Sequence, residues 1–254
     1  MTEISFPPAP PESSPRRRSW PMVLVMVALM VLGVGAGLYG VVRLTVGYQA
    51  YVQTSENMSP TLQPDERLVV RRANGGEVHR GDVVVIEGQA YATDGHPGVS
   101  VVRVVGVAGD TVACCTDEHL SVNGKPLTEP YITPGFEGLF EFSAKVPEGT
   151  IFVEGDNRGN SADSRFRGPV QLSGVTGFVV ATGTVITPDS LPAVTAFTDA
   201  GLPDAPFADS TLPTLRWWIV AGVVGFFAGF TGLIVTLVRS AGRRRKAAAV
   251  PPVR

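Results

Sequence analysis

The chain has 254 residues, with 21 Lys and Arg against 23 Asp and Glu, and its formal net charge of −2 hides a strong segregation. Residues 46–214 carry 10 basic and 21 acidic side chains, a net of −11, which argues against nucleic acid as a partner. Two adjacent cysteines and three scattered histidines do not close a metal coordination shell, and neither a metal nor a cofactor is expected.

Residues 1–20 are rich in Pro and Ser and are read as a disordered cytoplasmic tail. An uncharged run of 21 residues, Met22 to Val42, lies within an expected transmembrane helix over 21–43. It is longer than the apolar core of a cleaved secretory signal, about 7–15 residues, and "RLTVGYQAY" follows it. It is therefore expected to remain as an anchor. A second uncharged run, Trp217 to Val238, gives a second expected span over 217–238, followed by a basic cytoplasmic tail over 239–254. Arg16, Arg17 and Arg18 flank the first span, and Arg243, Arg244, Arg245 and Lys246 follow the second. The positive-inside rule then puts both ends in the cytoplasm and the middle of the chain outside a cell membrane.

Between the spans the pattern is mostly β, and a β-domain is expected over 46–186. Short apolar segments separated by turn residues mark strands at 67–72, 81–88, 99–107, 110–115, 119–127, 149–156 and 177–186. Asn123-Gly124 is a hairpin signal, since both residues tolerate positive φ. Residues 187–214, rich in Pro, Ala and Asp, are expected as a linker to the second span. Cys114 and Cys115 leave several alternatives. Consecutive Cα atoms are about 3.8 Å apart, shorter than the usual disulfide span, so a bond between them would be strained. Two reduced thiols, a vicinal bridge in an oxidising compartment, and an intermolecular bridge all remain open.

Three segments carry the chemistry: "SENMSPTL" (55–62), "VVRVVGVAGDTV" (101–112) and "GDNRGNSADSRFRG" (155–168). Each alone is ordinary turn and strand sequence. Their order behind an N-terminal anchor resembles type I signal peptidases, membrane serine proteases that remove signal peptides from exported proteins. The second span and the Cys-Cys pair look like actinobacterial members. The third segment matches the family block at Gly155, Asp156, Asn157, Arg158, Asn160, Ser161, Asp163, Ser164 and Arg165.

In that family a serine attacks and a lysine takes its proton, because a hydroxyl needs a base and a lysine serves only when burial lowers its pKa. The resemblance puts the nucleophile position on Asn57 and the base position on Val102. It makes Met58, Pro60, Thr61 and Leu62 the substrate-groove motif, and it makes Ser55, Ser161, Asp163 and Arg165 the oxyanion and support residues. Both members of the dyad are thus missing. Ser55 and Ser59 each lie two residues from Asn57, a displacement of about 6.6 Å in an extended chain. Of the bases, Lys125, Lys145, His79, His96 and His119 all miss position 102, where valine continues a buried strand pattern. The resemblance therefore implies a signal-peptidase-like membrane protein of the export pathway that has lost catalysis. Its partners would be signal peptides or an active paralogue. The alternative is an active signal peptidase whose nucleophile is Ser59 or Ser55.

Overall fold

The computed structural model describes residues 20–73, 78–93, 95, 97–116, 119–135, 140–203 and 205–248; the tail at 1–19 and His96 lie outside them. In chain order the elements are α1 (Trp20–Gly47), β1 (Tyr48–Val52), β2 (Arg67–Arg72), β3 (Val83–Glu87), β4 (Val99–Gly106), β5 (Thr111–Thr116) and β6 (His119–Val122). Then come β7 (Lys125–Pro126), β8 (Phe142–Lys145), β9 (Thr150–Glu154), α2 (Ser164–Arg167), β10 (Val170–Gln171) and β11 (Val175–Gly183). The chain ends with β12 (Pro188–Ser190), α3 (Ala196–Asp199) and α4 (Thr211–Ala248). The described residues form two compact units: those up to residue 40 with those from 217 on, and those within 41–216.

The first unit is a helix pair. The apolar windows of α1 and α4 are only 6% and 11% buried. The core helix of a soluble protein would bury that surface, so both are candidate membrane spans. Glycines let the helices approach closely. A Cβ on Gly222 would stand 2.5 Å from the Gly37 backbone nitrogen, and one on Gly33 would stand 2.6 Å from that of Phe226. Tyr39 and Trp218 pack edge to face with centroids 5.6 Å apart.

The second unit is mostly β. One sheet runs β1-β2-β11-β3-β4-β9-β10, with β12 on β11, and a smaller one runs β7-β6-β5-β8. Every strand pairing among the described residues is antiparallel. The strand β3 reads as a Val/Ile run and β4 as a Val-rich one interrupted by Ser100 and Arg103, because both faces are covered. Val84, Ile86, Val102 and Val104 enter one core, while Val83, Val85 and Val101 enter another with Met58, Leu62, Leu68 and Val70. The expected hairpin forms, with Asn123 at φ 55° and Gly124 at φ 75°.

Residues 187–214 are more than a linker. They add β12 and α3 to the domain and fully bury Phe197 in the core of the smaller sheet with Leu202. Arg80 ties this strap down by donating to the Pro203 carbonyl at 3.0 Å while its fork grips Asp110 at 2.8 Å twice. Its far end is held at Asp209, which accepts from Tyr48 Oη at 2.5 Å and lies 3.5 Å from Arg71.

Candidate active-site groove

The loop 53–62 is shaped by its polar and apolar residues pulling opposite ways. Met58 and Leu62 are fully buried beneath it, in the core against Val83, Val85 and Val101. On the other side, Gln53, Ser55 and Asn57 share a spacing of two and form one hydrogen-bonded set. Asn57 Oδ1 accepts from Gln53 Nε2 at 2.8 Å and from Ser55 Oγ at 2.6 Å, and Gln53 Nε2 also donates to the Ser55 carbonyl at 2.9 Å. Asn57 Nδ2 donates to the Val101 carbonyl at 2.7 Å, which ties the loop to β4 immediately before Val102.

The third segment closes the site from below. Gly155 has no room for a side chain: a Cβ there would collide with the Asn57 carbonyl and with Ser161. The Asn57 carbonyl instead accepts the Asn157 N–H at 3.0 Å. Asp163 caps α2 by accepting from the Arg165 N–H at 3.2 Å, and it also accepts the Gly155 N–H at 3.0 Å. Arg165 turns back onto that same carboxylate at 2.9 and 2.8 Å and onto the Arg158 carbonyl at 2.9 Å. Ser164 Oγ accepts the Val153 N–H at 3.0 Å. Arg103, next to Val102 but facing the other way, forks onto Asp156 at 2.8 and 2.6 Å, stacks 4.2 Å from the Tyr131 ring and reaches Thr61 Oγ1 at 3.4 Å.

Together these elements leave a cavity of about 540 Å³ lined by Ser55, Asn57, Tyr91, Ser100, Val102, Gly159, Asn160, Ser161, Ala162, Phe166 and Arg167. Asn57 and Val102, the expected nucleophile and base positions, face this one space, and Ser55 and Ser161 join them. Asp163 and Arg165 stand behind the wall as its scaffold. The expected groove motif divides: Met58 and Leu62 are core pegs, and Thr61 faces a separate cavity of about 450 Å³ under the strap. Ser59 does not line the Asn57 cavity. Its carbonyl accepts from Thr133 Oγ1 at 3.0 Å.

Among the described lining residues there is neither Lys nor His. Lys125 donates to the Gly201 carbonyl at 2.5 Å, Lys145 is exposed on β8, His79 pairs with Asp82 at 3.7 Å, and His119 lines a different, smaller cavity. Ser55 gives its proton to an amide oxygen, which is not a base. Burial, reinforced by the charge of Asp163, pushes the Tyr91 hydroxyl well above the usual range. No metal-holding cluster of His, Cys, Asp or Glu occurs among the described residues.

Gln53, Tyr91, Ser100 and Phe166 were not singled out from the sequence. The alternation 53-55-57 was the available signal for Gln53, since same-face residues in an extended segment recur every second position. Ser100 shares a face of β4 with Val102 by the same rule. Tyr91 and Phe166 come from turn-rich stretches that give no periodicity to read.

Residues 18–183 match the family described as Signal peptidase, peptidase S26. Curated relatives include signal peptidase I of Bacillus licheniformis, 34% identical over 157 residues, covering 58% of this chain and 76% of that one. Signal peptidase I U of Bacillus subtilis is 35% identical, covering 59% and 80%. Signal peptidase I of Leptolyngbya laminosa is 33% identical, covering 68% and 85%. A crystal structure of a signal peptidase I from Enterococcus faecalis is 28% identical, with a TM-score of 0.35, covering 41% of this chain and 97% of that one. The chain belongs to the signal peptidase S26 family. Its two candidate spans accord with membrane association.

Proposed function

We propose that this chain binds the signal peptides of exported preproteins, or an active paralogue, without cutting them. The observation that carries the reading is the pairing of Asn57 and Val102 across one cavity. A side chain without a nucleophilic hydroxyl and one without a basic nitrogen occupy the two positions where the family motif calls for a serine and a lysine. The Asn57 amide is engaged on both sides, so it acts as a strut between the loop and β4. The groove around it stays open to a peptide. The orientation that fits this role has both ends of the chain in the cytoplasm and the β-domain outside. The C-terminal span and the Cys-Cys pair favour the actinobacterial branch of the family.

The test is cleavage of a preprotein by the purified full chain and by the Asn57→Ser/Val102→Lys double variant. The unmodified protein should bind the preprotein and leave it intact, and the double variant should gain cleavage. Cleavage by the unmodified protein that disappears in Ser55→Ala or Ser59→Ala would overturn the reading in favour of a displaced nucleophile.

A further inference from the structure

Cys114 and Cys115, the two cysteines of the chain, are bonded to each other. In the chain-entropy account a disulfide stabilises by closing a loop in the unfolded chain, and the gain grows with loop length. At a sequence separation of 1 there is almost no loop to close. Holding the fold together therefore does not account for this bond. Filling space does not account for it either, because two thiols occupy a core as small apolar groups do.

The surroundings suit exchange chemistry. Cys114 is 8% exposed, in the core of the smaller sheet with Val112, Leu120 and Phe152. Cys115 is half-buried, so of the two residues it is the one more open to solvent. The pairing of β5 with β6 loses register between Ala113 and Thr116, where the cysteines sit. On their other side Cys114 stands opposite Phe142 of β8.

That side leads to the groove. Cys115 Sγ lies 3.6 Å from the Phe140 carbonyl oxygen. The Phe140 ring lies 5.9 Å from that of Phe142 and 5.2 Å from that of Phe166, and Phe166 lines the cavity with Asn57 and Val102. A disulfide sulfur has no proton to donate to that carbonyl, whereas a Cys115 thiol does. Reduction therefore changes what holds Phe140.

We propose that Cys114–Cys115 is a thiol–disulfide exchange site for an external dithiol, and that its redox state sets the order of the Phe140–Phe166 wall of the groove. One thiolate of the dithiol attacks Cys115 Sγ, forming a mixed disulfide and releasing Cys114 as the thiolate. The second thiolate of the reductant then displaces Cys115 and leaves as a disulfide. Two electrons pass to the cysteine pair, which takes up two protons, and the dithiol is oxidised by the same two electrons.

The experiment uses the full chain in detergent micelles with dithiothreitol as the dithiol. Maleimide mass tagging counts thiols, and backbone hydrogen exchange is followed before reduction, after it and after reoxidation. Two tags per folded chain are expected, with exchange over 140–145 and 164–167 changing about threefold or more and reverting on reoxidation. The Cys114→Ser/Cys115→Ser variant should show no response to dithiothreitol in these segments. Tagging that appears only after unfolding, unchanged exchange on reduction, or a response that persists in the double variant would each overturn the proposal. None of these readouts depends on whether the groove binds or cuts a peptide.

Discussion

Replacing Asn57 with alanine would strip Gln53, Ser55 and the Val101 carbonyl of a shared partner. Losing such a set costs about 1–3 kcal/mol, to be read as a lower denaturation midpoint at unchanged slope. A second residue-scale effect lies behind the groove. Glu129, Glu154 and Asp163 share Arg158 and Arg165, three carboxylates to two guanidinium groups. Glu154 is the least satisfied. Arg158 Nη1 stands 2.9 Å from it, yet neither Glu154 oxygen has a hydrogen bond in line. Burial, partly offset by Arg158, pushes its carboxyl from the ordinary 4.5 up to about 7. The folded chain thus keeps a proton that the unfolded chain has lost, so stability falls as pH rises from 4.5 to about 7. Glu154→Gln should remove that fall and leave the variant more stable above pH 7, by at most about 3 kcal/mol, in melting curves across that range. The sequence pointed to Asn57 and Val102, because Met58 and Pro60 to Leu62 hold the register. It hid the Glu154 cluster, whose members meet only through the fold.

At the scale of elements, the Val-rich strands β3 and β4 were legible because short β-branched runs bounded by turn residues mark strands covered on both faces. The strands β1 and β8 were not. The first continues directly from an apolar helix, and the second is four residues long, with alternating half-buried and exposed positions. The strap reads as a linker because Pro, Ala and Asp dominate it, while only a few residues, Phe197 and Leu202 chief among them, hold it down. Phe197→Ala should therefore act on the whole segment. It should cost about 3–5 kcal/mol and expose 187–209 to limited proteolysis before β2 to β11 are cut.

Taken as a whole, the molecule separates an apolar helix pair from a β unit that carries nearly all the acidic charge. In the orientation proposed above, α1 and α4 both cross the membrane and residues 1 and 254 share a compartment. Reporters fused at residues 1 and 254 should be active only in the cytoplasm, and one inserted at Asn123-Gly124 only outside; any reporter on the wrong side would reverse the orientation. The bond between Tyr48 and Asp209 has a further consequence. The first residue after α1 and a residue just before α4 are joined by one side-chain contact, so the β unit begins and ends at the same place. Such a body can be lifted out and its ends sewn together. A ring made by joining residue 47 to residue 210 through a short Gly/Ser bridge should fold without either helix, making the groove available in water as a closed loop of chain.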